Sequence, residues 1–597
     1  MDDARRYFLD VSQSVLGRPW VERLTPAQAR IAEAISQRSD LTQILARIVA
    51  ARDVGIDEAD AYLTPTVRAL MPDPSTLADM DRLADRLADA IEAKDAIALF
   101  GDYDVDGASS VALMTRYLTQ WGLSPDIHIP DRIFEGYGPN IQAIDGLIGR
   151  GARVLITLDC GTTSDGPIAH ARANGLDVLV IDHHLFDAAL PPATALVNPN
   201  RPDDLSGLGY LCAAGVTFMV LVATNRVLRA RGHSVVPDLM AMLDLVALAT
   251  IADVVPLKGL NRAFVTRGLE VARAGRNAGL RALSLAARIS GPLTAYHLGF
   301  LIGPRINAGG RIGDAALGAR LLSLDDEAEA TLIATKLNEL NTERQRIELE
   351  AVEEAMRAAE LEIGGGDGPP VLVLASANWH PGVVGLVAAR LKERFDRPAF
   401  AIAQMPDGKG TGSGRSVAGV DLGRAVIAAV DRGIIKKGGG HAMAAGVTVM
   451  GEEMAAFRAH LFAELAGQVQ AARATAALAI DAALSARGAN IDFVKSIERA
   501  GPFGSGSPQP VFVFPAHRVN FAEVVGTGGH VRFSLAADDG ARLKGIAFRA
   551  TQTALGETLL GARAGTPLHL AGTLAVDIYQ GREEVQVRAI DAAVPSR

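Results

Sequence analysis

The chain of 597 residues contains only two cysteines, Cys160 and Cys212. They supply neither a disulfide framework nor a metal-binding spacing, which fits a reducing compartment. Lysine is scarce too: nine of the 59 basic residues are lysine and the rest are arginine. The formal charge of −9 excludes a generally basic coat, so any polyanion site must be a local patch. Long apolar runs are missing. The most membrane-like stretch, 211–223, is shorter than the ~20 residues a spanning helix needs. The opening Met1, Asp2, Asp3 has no secretory core. A cytoplasmic location and no membrane partner are expected.

What remains is an ordinary globular composition, 49% hydrophobic and 21% charged, long enough for several domains. The chemistry begins at 96–107, AIALFGDYDVDG. The apolar run 97–100 reads as a buried strand. It ends in aspartates at alternate positions, Asp102, Asp104 and Asp106, and Gly107 closes the turn before a helix expected from Ala108. Carboxylates crowded at one rim of a sheet become tolerable with a bound cation. An EF-hand is excluded, because it needs a preceding helix and a glutamate at the twelfth position, which here is Leu113.

The pattern recurs. A short strand at 126–130 leads to Asp131, Arg132 and the loop Glu135, Gly136, Tyr137, Gly138. The run 154–158 ends at Asp159, and 178–181 ends at Asp182, His183, His184. Helical segments at 77–94, 141–150 and 164–174 alternate with these runs. Such alternation predicts an α/β fold around a parallel sheet covered on both faces, with ligands beyond the carboxyl ends of its strands. The run 245–251 ahead of Asp253 reads either as one more strand or as a buried helix. Four or more carboxylates with a histidine exceed what one ion uses. Two Mn²⁺ or Mg²⁺ ions roughly 3.5–4 Å apart, activating a water against phosphorus, account for the number.

Residues 1–65 look helical, punctuated at Thr25-Pro26 and Thr64-Pro65. A long helix over 323–363 has Ser323 as its cap and Asp326 as the reciprocal acid, and the glycines at 364–366 end it. A second α/β domain follows over 364–467, then a linker at 468–477. Strands from 511 onward suit a small barrel of the oligonucleotide-binding (OB) type. Groups suited to phosphates lie downstream of the aspartates: a tight loop at 303–311 with Arg305, Asn307 and Arg311; a glycine loop at 412–416 with Ser413 and Arg415; and Gly438, Gly439, Gly440, His441. Each taken singly reads equally as a surface turn. Trp379 reads either as a base-stacking residue or as an anchor of the second lobe.

Together the GDYDVDG turn, the Asp159 strand end, Asp182-His183-His184 and Ala252-Asp253 resemble the DHH phosphoesterase family. The segments around Arg305–Arg311, Trp379-His380-Pro381-Gly382, Ser413-Gly414-Arg415, Gly438–His441 and Gly501-Pro502-Phe503-Gly504 resemble its RecJ exonuclease branch, over residues 65–597. The resemblance implies a DHH domain over 66–322, a connecting helix over 323–363, a DHHA1-type substrate-binding domain over 364–467 and an OB-like barrel over 478–597. It implies that Asp104 and Asp106 bind different ions, that Asp159 bridges them, and that His183 and Asp253 complete the second ion's shell. Asp102 and Asp182 would support the ligands, and His184 would face the scissile phosphate. Ser413 and Arg415 would hold a 5′-terminal phosphate, with Arg132, Tyr137, Arg305, Asn307, Arg311 and His441 as strand contacts.

The activity implied is 5′→3′ degradation of single-stranded DNA to mononucleotides in recombination and repair, by a monomer working with a single-stranded-DNA-binding protein and a RecQ-type helicase. Two positions depart from the family pattern: Phe100, where some relatives carry a metal-ligating His, and Ser507, in place of an Asn. Two other readings compete. A DHH enzyme of small molecules needs neither the bridging helix nor the barrel, and a non-catalytic scaffold has no reason to keep the aspartates together.

Overall fold

A computed structural model describes residues 6–131, 135–186, 189–526, 528–562, 565–579 and 582–595. The chain divides into two compact units, one of Met1–Leu70, Pro256–Arg262 and Ala476–Arg597, the other of Met71–Val255 and Ala263–Thr475.

The second of these units holds two sheets. The first sheet comprises β1 (Ile97–Gly101), β2 (Asp126–His128), β3 (Val154–Leu158), β4 (Asp177–Ile181) and β5 (Ala195–Val197), in the order β2-β1-β3-β4-β5. All pairings are parallel. Strands β1 and β3–β5 are almost wholly buried, as a sheet sandwiched between helices demands. On one face Ala98, Phe100, Leu155, Val178 and Val180 pack with Ile144, Leu147 and Ile168, from the helices Ile141–Gly149 and Asp165–Ala173. Phe100 is therefore core, its ring lying 5.1 Å from that of His128. Because β1 has β2 on one side and β3 on the other, the strand order reverses there, which opens a crevice at the carboxyl ends.

The undecided run before Asp253 is a helix, Leu243–Ala252, buried from Leu243 to Thr250. The apolar stretch near 211–223 is part of a longer helix, Ala213–Ala230, that by length and composition could cross a membrane; 72% of it is buried inside the fold. The long helix runs Glu327–Ile363, and its cap is Asp326, which accepts from Glu329 N. Ser323 instead ends the preceding helix, Ala316–Ser323, and donates to Ala319 O. Residues 303–311 are not a loop either. They form the helix Gly303–Ile312, continuous with a π-helical turn at His297–Ile302.

The second sheet comprises β6 (Leu372–Ser376), β7 (Ala399–Gln404), β8 (Lys409–Arg415), β9 (Lys437–His441) and β10 (Ala444–Met450), in the order β9-β10-β8-β7-β6. Only β6–β7 is parallel. The expected glycine loop at 412–416 is thus mostly strand. Trp379 is 4% exposed among Ala355, Val383, Val387 and Leu391, so it anchors this lobe and does not stack a base. The expected linker at 468–477 is mostly helix, since Met454–Ala474 runs through it.

In the other unit, five strands close a barrel: Phe512–Val525, His530–Ala536, Arg542–Ala547, Arg582–Ala593 and Thr566–Tyr579, the last pairing back to the first. The first of them is a single long strand whose pairing is interrupted between Phe514 and His517 and between Val519 and Phe521. The N-terminal region is not purely helical. Trp20–Glu22 is a strand paired in parallel with Leu478–Ile480, and buried Trp20 donates from Nε1 to Asp591 of the barrel. The helices Pro26–Arg38, started by the Thr25 capping box, and Gln43–Ala50 share the barrel's core. Buried Ser507 closes a small bridge with Gly504.

Candidate metal centre and phosphate-binding face

Register builds the site. Gly101, Leu158, Ile181 and Val197 lie side by side at the carboxyl ends of β1, β3, β4 and β5. The next residue of each strand, Asp102, Asp159, Asp182 and Asn198, therefore lines one rim. The helix after β1 begins earlier than expected, at Val105, because Asp104 caps it by accepting from Asp106 N and Gly107 N. Gly107 is required there: a Cβ would stand 2.4 Å from Asp102 O. Asp106, in the helix's first turn, accepts from Ala213 N and Ala214 N at 2.6 and 2.8 Å. It is held at the N-terminus of a second helix, where a carboxylate is favoured.

Asp159 adopts a left-handed backbone, φ 64°, and its carboxylate oxygen Oδ1 is buried with no hydrogen-bond partner. His183 stands at the centre, its Nε2 3.3 Å from Asp159, 3.6 Å from Asp106 and 3.7 Å from Asp253. Its Nδ1 donates to Leu211 O at 3.1 Å, an orientation that turns Nε2 toward the carboxylates as the potential ligand atom. Potential ligand atoms fall in three groups: Asp102, Asp104 and Asp159; Asp106, His183 and Asp253; and Asp159, His183 and His184. Asp102, expected behind the ligands, is grouped with Asp104 and Asp159 as a potential ligand.

Electrostatics favour a cation. Burial, reinforced by the neighbouring carboxylates, holds the carboxyls of Asp159 and Asp253 well above their ordinary range, and burial also raises Asp106. Burial would raise Asp182 as well. There the hydrogen bond and charge of His184, with His183 and Thr162, prevail and depress it. His184 is raised to about 9: burial works against it, and the bond to Asp182 outweighs burial. Asp182 accepts from Thr162 N, His183 N, His184 N and His184 Nδ1, so it orients both histidines. Tyr137 Oη donates to Asp159 O and touches His184, nearer the rim than a remote strand contact would be.

Sequence reasoning missed three supports. Asn198 binds Thr162 and His184 O, Asn200 binds His183 O, and Leu211 O receives His183. The signal was the short apolar run 195–197 ending in Asn-Pro-Asn, too brief to read as a strand.

The expected strand contacts separate. Arg305 is engaged with Asn338 and Leu301 O, and Arg311 donates to Gly382 O. Asn307 is half-buried on the same helix. Arg132 lies outside the described residues. Arg415 Nη1 donates to Ser413 Oγ at 2.8 Å, and both side chains lie about 3 Å from where a Cβ of Gly385 would stand, in the first turn of the helix Val384–Phe395. His441 is lowered by burial, by Arg415 and by His184.

Three family models match the chain. Residues 96–250 match the DHH family N-terminal domain, 368–467 the DHHA1 domain and 480–591 the RecJ OB domain. The single-stranded-DNA-specific exonuclease RecJ of Escherichia coli (strain K12) is 36% identical over 487 residues, 79% of this chain and 83% of the relative. The chain belongs to the RecJ family. Two crystal structures of RecJ from Thermus thermophilus, in complex with Mn²⁺ and with Mg²⁺, superpose with TM-scores of 0.77 and 0.72 at 28% identity. Each alignment covers 97% of this chain, and 79% and 78% of those chains.

Proposed function

We propose that this protein is a metal-dependent phosphodiesterase that degrades single-stranded DNA from the 5′ end to mononucleotides, in recombination and repair. The observation that carries the reading is the buried Oδ1 of Asp159, which accepts no hydrogen bond and belongs to two groups of potential ligand atoms at one rim. Hard carboxylate oxygens with an imidazole suit two Mn²⁺ or Mg²⁺ ions. Asp104 would serve one, Asp106, His183 and Asp253 the other, with Asp159 between them and Asp102 beside the first. When bound, such a pair supplies a nucleophilic hydroxide and neutralises charge on the phosphate.

The chain's own residues do the rest. Asp106 is aimed by the Ala213 and Ala214 amides, and His183 by Leu211 O. His184, kept protonated at neutral pH by Asp182, would donate to a non-bridging oxygen of the scissile phosphate, steadied by Tyr137. Ser413 and Arg415 would hold the 5′-phosphate, and the product would be a mononucleotide. Asn307, Arg311, Arg305 and His441 would flank the strand. The family resemblance also supports action as a cytoplasmic monomer beside a single-stranded-DNA-binding protein and a RecQ-type helicase.

The decisive experiment uses end-labelled single strands with and without Mn²⁺. Metal-dependent release of mononucleotides from the 5′ label, with duplex spared, is expected. Digestion from the 3′ end, or equal cutting of circular strands, refutes the assignment.

A further inference from the structure

The helix Gly303–Ile312 does more than carry Arg305, Asn307 and Arg311. Three of its ten residues are glycine, Gly303, Gly309 and Gly310, although glycine is a poor helix former. Packing accounts for them. A Cβ on Gly303 would stand 3.4 Å from Ala252 Cβ and 3.7 Å from Val105 Cγ2, and one on Gly310 would stand 2.7 Å from Tyr103 O. These neighbours flank the proposed ligands directly. Tyr103 lies between Asp102 and Asp104, Val105 between Asp104 and Asp106, and Ala252 precedes Asp253. The helix is therefore seated on the residues that hold the metal rim in place.

Its carboxyl end grips the other half of the proposed site. Arg311 Nη1 donates to Gly382 O at 3.0 Å, and a Cβ on Gly382 would stand 2.3 Å from Arg311 O. Gly382 N donates in turn to His380 Nδ1 at 3.0 Å, which shapes the loop that follows β6. Three residues further on, a Cβ on Gly385 would stand 3.1 Å from Ser413 Oγ and 3.0 Å from Arg415 Nη2. Metal rim, helix, loop and pocket thus form one chain of contacts inside a single compact unit. At its two joints, Gly310 on Tyr103 and Gly382 on Arg311, backbone lies against backbone. No flexible side chain stands between them, so close packing leaves the joints little play.

We propose that the helix Gly303–Ile312 is the spacer that sets how far the phosphate pocket stands from the metal rim, and so aligns the scissile bond of a 5′-phosphorylated strand with the ions. In this role Arg311 is a positioning residue, acting on the strand through Gly382. The inference rests on the 5′-phosphate reading of Ser413 and Arg415. A strand anchored by its terminal phosphate cannot slide to correct an error in that spacing. A strand without the phosphate is not tied to the pocket and can settle on the rim by itself. Damage to the spacer should therefore slow anchored strands selectively, whereas damage to the metal centre slows both kinds alike.

The test uses the full-length enzyme and one single-stranded sequence bearing a 5′-phosphate or a 5′-hydroxyl. Affinity is measured in chelator, and cleavage in Mn²⁺ under single-turnover conditions at saturating enzyme. Gly382→Ala forces the loop away from Arg311 and should slow the 5′-phosphate strand about 10- to 100-fold, the scale of a 1 Å misplacement. The 5′-hydroxyl strand should slow less than about threefold, as for a change outside the site. In chelator the phosphate should keep its wild-type advantage in affinity. Arg311→Met adds no volume, which keeps the comparison open where the alanine variant does not fold. It should act in the same direction at about three- to tenfold, the scale of one charge-assisted hydrogen bond, and Arg311→Lys, which can still donate to Gly382 O, should recover most of that loss. The salt slope of strand binding should be unchanged in Arg311→Met; a slope flatter by about 0.7 makes Arg311 a phosphate contact and overturns its positioning role. Equal slowing of both strands, or slowing of neither, overturns the spacer alone. A wild-type enzyme that binds the 5′-phosphate strand no better than the hydroxyl strand overturns the pocket reading and the spacer with it.

Discussion

The two sheets of the larger unit present chemistry in opposite ways. The parallel sheet is covered on both faces, so its polar groups can stand only beyond the strand ends. There the backbone amides of Thr162, Ala213 and Ala214 converge on carboxylates, and acceptors accumulate at a buried rim. The second sheet is mostly antiparallel, and one of its faces, covered by the helix Val384–Phe395 over Ala399, Ala401 and Ala403, is left uncovered at Gly439 and Gly446. Its groups sit on the strands themselves at alternate positions, as donors spaced by glycine: Ser413, Arg415, His441 and Lys437. On the proposed reading, acceptors for cations on one sheet and donors for anions on the other are complementary halves of a phosphodiester site. Strand direction decides which half each sheet can supply.

The rim is the more fragile half. Asp159→Asn should lower cleavage by on the order of 10³-fold or more, with single-strand affinity in chelator unchanged. Near-normal turnover would remove Asp159 from the metal centre. Asp182→Asn should cost roughly 10–100-fold, the usual effect of losing a group that orients a ligand. Histidine NMR titration of the chelated variant should show the His184 midpoint falling from about 9 toward its ordinary value.

The rim also predicts a pH signature. The raised carboxyls of Asp159, Asp253 and Asp106 penalise the ionised folded state, and protonation through their raised folded values relieves that penalty. His184, raised from 6.5 to about 9, contributes stability that is complete below 6.5 and lost as pH rises through 9. Both terms have one sign. The metal-free protein should therefore melt at higher temperature as pH falls from 9 toward 6, and Mn²⁺ should flatten the trend. Calorimetry in chelator checks this.

The second sheet should tolerate changes on one side only. Gly414→Ala puts a Cβ 2.5 Å from the Phe400 ring and should cost about 1–3 kcal/mol of stability. Gly446→Ala, with nothing nearby, should change stability by less than about 0.5 kcal/mol and instead weaken 5′-phosphorylated strands severalfold. Thermal melts with strand titrations separate the two. The smallest effect is electrostatic: Arg415→Met should flatten the salt dependence of strand binding by about 0.7 in log–log slope, the value for one phosphate contact.

Much of the site could be read from residue order. Apolar runs ending in Asp102, Asp159 and Asp182 identified the rim, and they did so because a buried parallel strand has a recognisable composition and its functional group follows directly. Segments whose composition suits two states were misread or left open. Residues 303–311 look like a glycine loop but are helical, held by packing of Gly310 on Tyr103 and of Gly309 on Leu337. Residues 412–416 look flexible, yet seven backbone pairings to Ala444–Met450 make a strand of Lys409–Arg415. The run before Asp253 is apolar all round, so period alone could not separate strand from helix.

By itself the sequence determined the α/β class, the metal-ligand types and the candidate phosphate groups, because these depend on local composition and on which residue ends each strand. Only the tertiary structure decided that Asp106 meets the helix Ala213–Ala230, that His183 stands among three aspartates drawn from distant segments, and that Phe100 and Trp379 are core. Those facts are distances across the fold between residues far apart in the chain. They are set by strand register and helix packing, which no single segment encodes.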